Sequence, residues 1–117
     1  FLPEKPVAGV APAALAFGNQ KVGTTSAART VTLTNTGTAP LLISSIAIGG
    51  TNPGEFSRTT TCPLSPSSLP AGLPCTINVT FKPTAKVSRS ATLIVTDNSG
   101  DLFPSTTQTV ALTGKGN

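Results

Sequence analysis

"CTINVTF", residues 75–81, places Ile77, Val79 and Phe81 on one side of the backbone and Thr76, Asn78 and Thr80 on the other. An apolar residue at every second position is the period of a β-strand. The same period recurs outward in both directions. "ARTVTLTN" (28–35) aligns Val31 with Leu33, "SATLIVTDN" (90–98) aligns Ala91, Leu93 and Val95, and "TQTVALTG" (107–114) aligns Val110 with Leu112. "LLISSIAIGG" (41–50) is apolar with Leu42, Ile46 and Ile48 in phase, while "AALAFG" (13–18) and "FSRTTT" (56–61) supply Phe17 and Phe56.

Turn clusters such as "NTGTAP" (35–40) and "TNPGEF" (51–56) separate these runs. Thr is the commonest residue and sits opposite the apolar positions, where a β-branched side chain suits a half-exposed pleat. No window holds apolar residues at helical spacing over three turns. Short strands punctuated by turns predict an all-β, antiparallel β-sandwich of seven or eight strands. Its inward set is Phe17, Val31, Leu33, Leu42, Ile46, Ile48, Phe56, Ile77, Val79, Phe81, Leu93, Val95, Val110 and Leu112. A chain of 117 residues is one domain. Residues 1–12, "FLPEKPVAGVAP", read as a Pro/Ala/Gly-rich linker or N-terminal extension, and 13–117 as the sandwich.

Both cysteines flank one loop, "CPLSPSSLPAGLPC" (62–75). The pair reads either as two free thiols or as a disulfide between Cys62 and Cys75, and the disulfide is the expectation. It would close a loop with no core of its own, be worth about 3 kcal/mol on chain-entropy grounds, and place the chain in an oxidising compartment. "LPAG" (69–72) fits a β-turn with Pro70 second.

The inventory narrows function. There is no His, which removes Ser-His and Cys-His nucleophile pairs and imidazole metal ligands. Two cysteines cannot close a tetrahedral zinc site. The acids Glu4, Glu55, Asp97 and Asp101 offer no pair across a cleft. No catalytic, cofactor-binding or metal-binding residue is therefore expected. "DNSGD" (97–101) has oxygen-bearing side chains around a Gly but too few carboxylates for calcium, and reads as a hairpin loop. "NVT" (78–80) matches a glycosylation pattern but lies mid-strand. Net charge is +4 but only 10% of residues are charged, and neither Trp nor Tyr is present, so nucleic-acid binding is not expected. No apolar run is long enough to cross a bilayer.

Taken in order, "LAFGNQKVGTTSAARTVTLTNTGTAPLLISSIAI", "NPGEF", "LPAGLPCTINVTFKPT", "SATLIVTDN" and "TVALTGKG" resemble the bacterial choice-of-anchor D type Ig-like modules. These are relatives of the abnormal-spindle/Hydin group of β-sandwiches. The resemblance covers about residues 12–116 and matches Cys62 and Cys75 to the cysteines flanking the family's Pro- and Gly-containing loop. It implies an Ig-like fold and a non-catalytic structural or interaction module of a secreted or surface-attached bacterial protein. The expected location is extracellular, cell-surface or periplasmic. The expected contacts are a protein partner or neighbouring tandem domains, with the isolated domain monomeric and not inserted in a membrane. Edge strands near 13–17 and loops 49–55 and 97–104 are the expected contact points. The alternatives are a carbohydrate-binding or other accessory module of an extracellular enzyme, which exposed Phe would favour, and an intracellular cytoskeletal scaffold, which free thiols would favour.

Overall fold

The computed structural model describes residues 5–64, 67–98 and 106–117. Eight strands run through them: β1 (Ala8–Ala11), β2 (Ala14–Gln20), β3 (Arg29–Asn35), β4 (Ile43–Gly49), β5 (Phe56–Thr60), β6 (Pro74–Phe81), β7 (Ser88–Asp97) and β8 (Thr106–Gly116). The one helical element among the described residues is a 3-10 turn, Pro53–Glu55. The strands form two four-stranded sheets, ordered β1-β3-β6-β5 and β2-β8-β7-β4.

The alternation that marks the strands also sets their register. In the first sheet Val31 faces Ile77, Leu33 faces Cys75 and Phe56 faces Phe81. In the second, Ala91 faces Leu112, Leu93 faces Val110 and Ile46 faces Val95. Opposed residues point to the same side, so each sheet presents one apolar face, and the two faces meet. Val31, Leu33, Ile77, Val79, Phe81, Leu93, Val95 and Leu112 have no solvent exposure. Burying such a side chain contributes roughly 1.5–3 kcal/mol, which makes this seam the main source of stability.

Three features depart from the sequence reading. First, β4 is out of phase. Leu41 and Ile43 are fully buried, whereas Leu42 keeps 41% of its exposure and Ile48 is only half-buried. The register slips between Ile43 and Ser45 opposite β7, and this bulge lets Ile43 and Ile46, three residues apart, both face inward. Second, Ala8–Ala11 of the Pro/Ala/Gly-rich segment form β1, paired antiparallel with β3 from Ala8↔Asn35 to Ala11↔Thr32. The chain then changes sheets: past Pro12 it runs as β2 at the edge of the second sheet. Third, β2 pairs with β8 in parallel, the exception in an otherwise antiparallel fold. The β2–β8 register also shifts between Ala16 and Asn19, where Gly18 holds φ +68°, the bulge expected of a strand interrupted by Gly.

Candidate functional site

The long axis of the sandwich separates two ends with different chemistry. At one end lie residues 5–7, the 35–42 connection, the 62–73 loop and the close of β7. Cys62 and Cys75 are joined there by a disulfide, with their Cα atoms 5.0 Å apart. The loop they close contributes Leu69, 4% exposed, to the core, and Leu69 exchanges two 2.9 Å backbone hydrogen bonds with Leu41. The loop's turn sits one residue later than the sequence placed it. The Leu73 N–H donates to the Pro70 carbonyl, and Gly72 occupies the third position at φ +83°, where a β-carbon would be strained.

Asn35 gathers this end. It is fully buried at the close of β3. Its Nδ2 donates to the carbonyls of Ala39 (2.7 Å) and Leu69 (3.0 Å), and its Oδ1 accepts from the N–H groups of Val7 (3.3 Å) and Gly37 (3.0 Å). Its own N–H donates to the Leu73 carbonyl and its carbonyl accepts from the Gly72 N–H. One neutral side chain thus satisfies backbone groups from three separate segments, that of Leu69 fully buried and the others part-buried. The sequence reading took "NTG" as a plain turn. The bonds to Gly37 and Ala39 are local and fit that reading, but what makes Asn35 a hub is its bonds to Val7 and Leu69, 28 and 34 residues away, which leave no local signal.

The opposite end is built on rings. Phe17, Phe56 and Phe81 form a cluster with centroids 4.8–5.8 Å apart, and the pair Phe56–Phe81 is stacked. Gly114 lies against the Phe81 ring so closely that a β-carbon there would collide with it. Beside the cluster Glu55 is 9% exposed and wholly engaged. Its Oε1 accepts from the Thr84 N–H (2.7 Å) and hydroxyl (2.9 Å), and its Oε2 pairs with the Arg89 Nε at 2.8 Å. A carboxylate with both oxygens held is a structural clamp between the 3-10 turn and the β6–β7 connection.

Asp97 is the other acid among the described residues. It is buried at the close of β7. The Oδ1 of Asn98 accepts from the Leu42 N–H at 2.9 Å, so this oxygen of "DNSGD" anchors β4. The rest of the loop, and so most of the expected contact point at 97–104, lies outside the described residues. The 49–55 loop is fastened to β7, where Asn52 exchanges hydrogen bonds of 2.8 and 3.1 Å with Ser90. The Oδ1 of Asn78 in "NVT" accepts from the Thr30 hydroxyl. Phe17, Phe56 and Phe81 are all buried, which leaves no aromatic platform for a sugar ring among the described residues.

Two features of the ring end are open. Lys21, Arg29, Arg58, Lys82, Lys86, Arg89 and Lys115 all belong to that half, leaving Lys5 at the stapled end. On its flank lies a shallow groove of about 340 Å³ lined by Phe17, Gln20, Ser26, Ala27, Ala28 and Arg29. The guanidinium of Arg29 stands over the Phe17 ring at 5.7 Å. The groove exists because of the sheet change at Pro12: β1 covers the outer edge of β3 only from Thr32 to Asn35, and β2 has already left for the other sheet. No strand among the described residues pairs with the outer edge of Arg29, Thr30 and Val31.

Comparison with known proteins is consistent with this architecture. Residues 6–101 match the family described as abnormal spindle-like microcephaly-associated, ASPM-SPD-2-Hydin (ASH). The match spans most of the chain, which therefore belongs to the ASH family. Among solved structures it is similar to the ASH/PapD-like domain 7 of human CEP192, with a TM-score of 0.70, 16% identity, and coverage of 100% of this chain and 89% of that one. It is also similar to the VesB protease of Vibrio cholerae (TM-score 0.68, 15% identity, 95% of this chain and 32% of that one). The E. coli chaperone DraB is similar as well (TM-score 0.65, 12% identity, 95% and 56%). The chain thus spans about a third of the protease and about half of the chaperone. No curated protein matches it in sequence.

Proposed function

We propose that this ASH-family sandwich is a non-catalytic structural and interaction module of a secreted or surface-attached bacterial protein of the choice-of-anchor D kind. It holds neighbouring domains apart and offers its edges and end loops to a protein partner. The observation that carries this reading is the path of the chain. Lys5 hydrogen-bonds Thr38 at the stapled end, while Asn117 exchanges backbone hydrogen bonds with Gln20 and Val22 at the ring end. A domain whose chain passes in at one end and out at the other strings naturally into a row.

The chemistry agrees. The carboxylate of Glu55 is consumed by structure and the cysteines are bonded, so neither serves as an acid, base or nucleophile. The ASH family is non-enzymatic. The disulfide supports an extracellular, cell-surface or periplasmic location over a cytoskeletal scaffold. The likeness to the chaperone DraB supports contact with protein. A second reading, an accessory module beside a catalytic domain, is favoured by the match to one part of a Vibrio protease.

Small-angle scattering of a two-copy tandem fusion tests the spacer role. An elongated particle about twice the length of one copy is expected, and a compact side-by-side pair would sink it. Thiol titration of the protein from its native source tests the compartment, since two reactive thiols in the folded state would contradict the location.

A further inference from the structure

Resting on the interaction-module reading, we propose that the flank groove beside Arg29 binds a short, extended, acidic segment of a protein partner. The segment adds to the first sheet in line with β1.

The argument begins with the exposed edge. β1 pairs antiparallel with β3 and stops at Ala11, opposite Thr32. Beyond that point toward the ring end Val31 is fully buried, while Thr30 and Arg29, hydrogen-bonded to β6 on one side, are exposed and meet no described strand on the other. An extended segment placed there continues the line that β1 begins, satisfying backbone groups that otherwise face solvent. The opposite wall of the groove is β2, itself an edge strand. The lining mixes the small apolar Ala27 and Ala28 with the polar Gln20, Ser26 and Arg29, over the buried Phe17. It suits a small aliphatic or Thr side chain from the segment.

Charge then selects the partner. Arg29 is exposed, and no carboxylate pairs with it among the described residues. Its contact with Phe17 holds the guanidinium at the groove rather than leaving it to sweep through solvent. Of the described residues, the carboxylate at this end is Glu55, already bound to Arg89 and Thr84. The surrounding Lys21, Lys82, Lys86 and Lys115 are exposed and add attraction at longer range. A cationic peptide is repelled, and an acidic side chain flanking the groove can take a two-pronged hydrogen bond from Arg29. The groove has no exposed aromatic surface on which a nucleobase or sugar ring could stack, which favours a polypeptide over other polyanions.

The test is a titration of the isotope-labelled, disulfide-intact domain, followed by amide shifts at low ionic strength. The probes are a capped decapeptide alternating Thr and Glu, its Thr/Lys counterpart, the Thr/Glu peptide N-methylated at alternate residues, and dextran sulfate. The expected result is saturable shifts at 17–20 and 28–31 with the first probe alone. Arg29→Ala should weaken that binding roughly tenfold or more, the scale of losing a charged hydrogen bond, with the remaining spectrum unchanged. Undiminished binding of the N-methylated peptide would overturn the strand-addition geometry. Shifts of equal size with dextran sulfate, or confined to the lysines, would make the patch a general polyanion surface and overturn the proposal. Silence at the groove would also overturn it. The scattering experiment does not involve the groove, so the spacer reading stands or falls separately.

Discussion

The two ends of the sandwich solve one problem with opposite means. Each must bury polar groups where strands give way to loops. The stapled end does so with a neutral amide, Asn35, and a covalent bond around a long irregular loop. The ring end uses a charged carboxylate, Glu55, and packs aromatic rings under shorter connections. The difference follows from what has to be held. β5 ends at Thr60 and β6 begins at Pro74, and a connection of that length costs conformational entropy that a cross-link removes from the unfolded chain. The connection from β6 to β7 needs no such help, since Glu55 grips Thr84 within it and Arg89 just beyond it in β7.

The comparison is most severely tested at the rings. Phe81→Ala should cost about 3–5 kcal/mol, because the residue is fully buried and stacks on Phe56. Urea unfolding measures it, and a loss below about 1 kcal/mol would show that the ring end carries little. Replacing both cysteines with Ser should cost about 3 kcal/mol by the same assay. Its opening should be local to 62–75 in hydrogen exchange, and global loss of protection would break the idea that each end is separately secured. Asn35→Ala strands the buried carbonyl of Leu69 and removes the partner of the part-buried Ala39 carbonyl and Gly37 N–H. A loss of about 2–3 kcal/mol is expected. Glu55→Gln keeps an acceptor for Thr84 but removes the charge facing Arg89. The expected loss, about 1 kcal/mol, is the smallest of the four. If Glu55→Gln proves costlier than Asn35→Ala, the ranking of the two hubs is reversed.

How far the sequence speaks depends on whether the relevant partner is near in the chain. β3, β6, β7 and β8 were legible because alternation is a local pattern, and the residues read as inward in these strands are buried. β4 was misread because "ISSI" hides a bulge: two serines in a row carry no mark of which one is the extra residue. β1 was invisible because "AGVA" is short, small and followed by Pro, a composition shared with linkers. Leu41 and Leu69 come together through a single bridge between loops, which no periodicity announces. The disulfide was legible as an expectation, since both cysteines bracket one loop. The flank groove was not. It arises from where β1 stops against β3, a property of pairing across more than twenty residues.

The change of sheets at Pro12 also decides how the domain meets mechanical load. Tension between Lys5 and Asn117 pulls β1 along its own axis against β3, and β8 along its own axis against β2 and β7. Neither terminal strand can peel away one hydrogen bond at a time, because the force lies along each ladder and loads its rungs together. Single-molecule pulling through Lys5 and Asn117 should therefore give a higher rupture force than pulling through the β6–β7 connection and residue 117, where β7 and β8 part from one end like a zip. Equal forces in the two geometries would show that the sheet change gives no such resistance.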